Sequence, residues 1–98
     1  MAQVTFVDAQ EVLYAYLAGE IDHHTAQTLR RKIDAELAAR APEGLVLDFS
    51  AVGFMDSSGI GLILGRMRQM QAYDGKLMVQ NPPGTIQKML ELAKIEYI

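Results

Sequence analysis

Asp56-Ser57-Ser58-Gly59-Ile60-Gly61 places one carboxylate and two hydroxyls where an apolar run gives way to a helical pattern. Three chemistries use such residues: capping a helix, carrying a phosphate, and nucleophilic attack by a serine. Capping asks least, because Asp56, Ser57 and Ser58 each hold an oxygen that can accept from the unpaired N–H groups of a first turn. A phosphate asks only a little more, since those N–H groups and the helix dipole favour negative charge at that end. Phosphorylation there leaves a fold intact and adds about −1.5 to −2 charges. Catalysis asks much more. A hydrolase built on Ser57 or Ser58, with His23 or His24 as base, needs glycine two residues before the nucleophile, and Met55 or Asp56 stands there. Nothing in the spacing sets base against nucleophile, so the chain reads as a protein other than an enzyme.

Beyond the cap, Ser57, Gly61, Gly65 and Arg68 share one helix face, with almost no side chain above the backbone for two turns. Each mid-helix glycine costs roughly 1 kcal/mol relative to alanine. A smooth docking face for a partner, with Ser57 at its top, is one reason to keep such glycines. Close packing of another element of the same chain is the other. Periodicity leaves both open.

The elements that position this segment follow from alternation and period. Residues 3–7 and 12–17 read as strands, Tyr14 and Tyr16 alternating with Leu13, Ala15 and Leu17, and the polar 8–11 between them reads as a hairpin. After Gly19-Glu20-Ile21-Asp22-His23-His24 a helical stripe carries Ala26, Leu29, Ile33 and Leu37, with Asp22 or Thr25 as its cap. Pro42-Glu43-Gly44 ends it. The apolar run 45–49 predicts a central strand buried on both faces. A second helix over 57–71 has Ile60, Ile63, Leu64, Met67 and Met70 as its core stripe, followed by a strand over 76–80 and a third helix bearing Ile86, Met89, Leu90 and Ala93. The tail 95–98 has room for one more short strand.

The fold class is therefore α/β: one domain over 1–98, with a mixed, mostly parallel sheet of four to five strands packed with three to four helices. In such sheets the functional edge lies beyond the C-terminal strand ends, where helix N-termini also point. The segments 19–24 and 52–59 are expected there as two loops forming one surface.

The whole chain narrows the classes of partner. Half of its 98 residues are apolar and none is cysteine, so a single core needs no disulfide and no cysteine-based zinc site is available. No apolar segment approaches the roughly 18 residues of a membrane span, and the N-terminus lacks a signal-peptide pattern, so a cytoplasmic location away from membranes is expected. A net charge of −3 without a long basic run leaves no footprint for nucleic acid. Adjacent His23 and His24, with Glu20 and Asp22, point to different faces of any regular element, which argues against a metal site. Gly59-Ile60-Gly61 lacks the lysine and spacing of a phosphate-binding loop, so no cofactor is expected and weak nucleotide binding is only a secondary reading. The six methionines read as core filler.

Two stretches resemble the STAS domain, and within it the anti-anti-sigma factors of endospore-forming bacteria. They are Gly19-Glu20-Ile21-Asp22-His23-His24-Thr25-Ala26 and Phe54-Met55-Asp56-Ser57-Ser58-Gly59-Ile60-Gly61-Leu62-Ile63-Leu64-Gly65-Arg66, and the spacing between them fits without gaps. The resemblance spans most of the chain, which stops soon after the third helix where relatives usually continue. It implies that Ser57, not Ser58, is phosphorylated. It further implies that the unmodified protein binds a dimeric ATP-binding anti-sigma factor and so frees the sigma factor for transcription. That partner is itself a serine kinase that phosphorylates Ser57, and a PP2C-type phosphatase reverses the mark. Glu20, Asp22, His23, Asp56, Ser58, Ile60, Gly61 and Gly65 would form the docking surface. The rival within the family is a STAS scaffold, or the regulator of another kinase, in a stress-signalling complex.

Overall fold

Strand, strand, helix, strand, helix, strand, helix is the order found in the computed structural model, which describes residues 1–98. β1 (Ala2–Ala9) and β2 (Val12–Ile21) form an antiparallel hairpin. They are followed by α1 (His23–Arg40), β3 (Gly44–Met55), α2 (Ser57–Ala72), β4 (Lys76–Gln80) and α3 (Gly84–Leu92). The strands lie in the order β1-β2-β3-β4, with β2 parallel to β3 and β3 parallel to β4. This is the mixed, mostly parallel sheet that the alternation of strands and helices predicts, with four strands and three helices. Tyr97 of the tail adds one parallel bridge, to Val79 at the β4 edge.

The buried apolar side chains form one cluster, with Leu13, Ala15 and Leu17 of β2 and Leu45 and Leu47 of β3 facing Leu29 and Ile33 of α1, Ile63 of α2 and Ile86 and Leu90 of α3. The opposite sheet face is only partly covered. Val7, Tyr16 and Met78 alternate away from the core and are exposed, and Val46 is only half-buried. The expectation that 45–49 is covered on both faces therefore fails at Val46. A β-branched residue suits a pleated surface whether or not a second layer covers it, so composition does not report how far that face is covered.

α2 is rotated from its expected setting. Ile63 and Met70 are buried as predicted, but the rest of the buried stripe is Gly59, Leu62 and Arg66, while Ile60, Leu64 and Met67 are only partly buried against the core. Two contacts cause this. A Cβ at Gly59 would land on the Met55 side chain, so the backbone of α2 sits directly over the end of β3. The other side of the stripe turns toward α1, where Arg66 Nε lies 3.0 Å from Asp34 Oδ1.

β3 carries two more residues than β2 over the same span. The pairing slips by one between Tyr16 and Ala18 and again between Gly19 and Glu20, with the extra residue on β3 each time. Asp48 stands at the first slip, 3% exposed, and has no cation beside it. Its Oδ1 accepts from the Ser50 amide at 2.9 Å and the Ser50 hydroxyl at 2.6 Å, and its Oδ2 accepts from Gln80 Nε2 at 2.8 Å and Asn81 Nδ2 at 2.9 Å. Burial pushes the carboxyl up, but the donations from Ser50, Asn81 and Gln80 outweigh it and leave the pKa below the ordinary value.

A folded pKa that is depressed contributes stability above the unfolded value of about 3.9 and loses it as pH falls through the folded one. Asp48→Ala strands these donors, and at about 1–3 kcal/mol for a buried group left unpaired, a loss of roughly 3 kcal/mol at pH 7 is expected. Urea unfolding of wild type and variant should show that gap narrowing below about pH 4.

Candidate docking site

The two helix entries stand side by side because the strands beneath them are paired. Ile21 and Met55 are the last register partners of β2 and β3, and the Asp56 amide donates to the Ile21 carbonyl at 3.0 Å. Each strand then passes into its helix through one aspartate. Segments 19–24 and 52–59, expected as loops, are thus strand almost to the helix starts. The reason is chemical: an aspartate can leave the sheet in extended conformation and cap the next residues at once.

At α1, Asp22 and Thr25 cap each other. The Thr25 amide donates to Asp22 Oδ1 at 2.8 Å and the Asp22 amide donates to Thr25 Oγ1 at 2.9 Å. The Thr25 amide, and next its hydroxyl, hold the Asp22 carboxyl below the usual aspartate range. At α2, Asp56 Oδ1 accepts from the Ser58 amide at 2.8 Å. Capping at this end thus falls to Asp56, and Ser57, the first residue of the helix, is exposed.

Between the helices runs an open groove of about 360 Å³. His23 and Arg30 line it from α1, and Ser58, Gly61, Gly65 and Arg66 from α2. A Cβ at Gly61 or at Gly65 would meet nothing within 4 Å. The two glycines therefore do not admit another element of this chain. They leave space beside α2.

Of the residues predicted for docking, the fold brings Asp22, His23, Asp56, Ser58, Gly61 and Gly65 to this end and this groove, with Ser57 at the head of α2. Glu20 is exposed at the end of β2, in register with Phe54. Ile60 is not in the groove; it is half-buried and packs against the core.

Three features escaped the reading of the sequence. Phe54 is 52% exposed next to this end, because the second slip in β3 turns it off the core. Arg66 is 7% exposed, with Nε also 2.8 Å from Gln69 Oε1 and Nη1 without a partner. Burial lowers its pKa from the usual arginine value, Asp34 opposes that shift and the nearby charge of Arg30 adds to it. Arg30 itself sits three to four residues along α1 from Ala26 and Gln27, a helical spacing that would have placed it in the groove once α2 was known to pack there.

A family model for the STAS domain matches residues 1–98. The chain belongs to the STAS domain family. The anti-sigma F factor antagonist of Lysinibacillus sphaericus is 36% identical to it over 84 residues, 86% of this chain and 72% of that relative. The solved structure of the anti-sigma factor antagonist SpoIIAA in its unphosphorylated form superposes with a TM-score of 0.84 at 31% identity, covering 100% of this chain and 88% of that one. SpoIIAA of Bacillus in its phosphorylated form gives 0.77 at 31% identity, covering 100% and 91%. This STAS domain thus shares the SpoIIAA fold and stands among anti-sigma factor antagonists, which are regulatory proteins. No helix of it is long and apolar enough to cross a membrane.

Proposed function

We propose that this STAS domain is an anti-anti-sigma factor whose unmodified form binds an anti-sigma factor and thereby releases a sigma factor. Phosphorylation at Ser57 ends that binding. The partner is the serine kinase that places the phosphate, and a PP2C-type phosphatase removes it. Ser57 is the residue that carries this reading: exposed at the first position of α2, outside the cap, above a groove that glycines keep empty. A relative of the same fold is known in phosphorylated and unphosphorylated forms.

The division of labour between neighbouring residues supports the choice of serine. The Ser58 amide is committed to Asp56, and Ser58 is half-buried at the wall of the groove. Ser57 can be modified without breaking the cap. The groove, with Glu20, Asp22, His23, Asp56, Ser58, Gly61 and Gly65 around it, is the docking surface, and Ile60 supports it from the core side.

The test is displacement. A complex of the organism's anti-sigma factor with a fluorescently labelled sigma factor, titrated with this protein, should lose its anisotropy as the sigma factor is freed. An unchanged signal at saturating protein would contradict the reading.

A further inference from the structure

The groove between α1 and α2 has a definite charge. Among the residues that line it, Arg30 and Arg66 are cations, His23 adds an imidazole, and no carboxylate is present. Asp34, behind Arg66, offsets one of these charges through Nε at 3.0 Å. The match is incomplete on both sides, because Arg66 Nη1 and Asp34 Oδ1 are both buried with no hydrogen-bond partner. A buried donor left unpaired is costly, and a buried arginine fork takes a carboxylate in preference to other acceptors. The floor beside Gly61 and Gly65 is free of side chains, so a group from outside can come close to the helix backbone.

We propose that the occupant of this groove is an acidic side chain of the anti-sigma factor, an aspartate or glutamate that enters over Gly61 and Gly65 and pairs with the exposed Arg30, in the field of the buried Arg66. This rests on the docking reading above and specifies its chemistry. It also explains how a phosphate on Ser57 acts: Ser57 lies one turn before Gly61 on the same face of α2, so the added dianion stands at the end of the groove and repels the incoming carboxylate. The basic groove and the modified serine are then two halves of one device.

Arg30 is exposed, so its replacement leaves the fold in place, and Arg31, also exposed but outside the groove, is the control. Binding of the anti-sigma factor by wild type, Arg30→Glu, Arg31→Glu and Gly61→Glu should be measured by calorimetry at low and moderate salt. Arg30→Glu is expected to weaken binding by about 30-fold or more and to flatten its salt dependence, and Arg31→Glu to change it by less than about threefold. Equal binding by Arg30→Glu and Arg31→Glu, with Gly61→Glu inactive, would overturn the carboxylate and leave the groove as the docking site. Normal binding by Gly61→Glu as well would overturn the docking reading itself.

Discussion

Phosphorylated at Ser57, the protein is expected to keep its fold and to bind the anti-sigma factor about 100- to 1000-fold more weakly, equivalent to 3–4 kcal/mol. The fold survives because the modified oxygen takes no part in the cap: Asp56 Oδ1 holds the Ser58 amide at 2.8 Å with or without a phosphate. The helix dipole of α2 also favours negative charge at its first residue. Binding suffers because about −1.5 to −2 charges and the bulk of a phosphate arrive at a surface that must be covered. Thermal unfolding of the phosphorylated and unmodified proteins should therefore coincide within a few degrees, while their titrations with the partner separate by two to three orders of magnitude. Ser57→Ala, which removes only an exposed hydroxyl, should bind like the unmodified protein and never switch off.

Gly61→Glu should produce the same loss of association without any phosphate. A Cβ at Gly61 meets nothing within 4 Å, so the substitution creates no internal clash. Glutamate is a better helix former than glycine. Stability should stay within about 1 kcal/mol of wild type, on the stabilising side. The new side chain nevertheless fills the groove beside Arg30 and Arg66 and takes the place of the partner's group. Urea unfolding and a binding titration on one sample separate the two effects. A large stability loss would put Gly61 in the core, and undiminished binding would put the partner elsewhere.

Most of what positions Ser57 could be read from residue types. The alternation around Tyr14 and Tyr16, the breakers at 42–44 and the period of Ala26, Leu29 and Ile33 are local patterns that each element imposes on its own residues, and all three hold. The caps are local as well: the sequence offered Asp22 or Thr25 at α1 and Asp56, Ser57 or Ser58 at α2, and the aspartates take the N-cap position at both. The misses share one cause, which is that the deciding neighbour lies far away in sequence. Whether Val46 is covered depends on what packs against that face of the sheet, and it stays half-buried. The setting of α2 depends on Met55 beneath Gly59 and on Asp34 across from Arg66, and no period within 57–71 contains either. The two slips in β3 are invisible for the same reason, since they are defined only against β2. They are also what bring Ile21 level with Met55, and with them the two capped helix starts.

The measurement to make first is the intact mass of wild-type protein and of Ser57→Ala after incubation with ATP and the organism's anti-sigma factor. Addition of one phosphoryl group to the wild type, with none to Ser57→Ala, is the predicted result. Equal addition to both proteins, or none to either with a kinase shown to be folded, would contradict a switch at Ser57 and leave that serine as the first residue of a helix and nothing more.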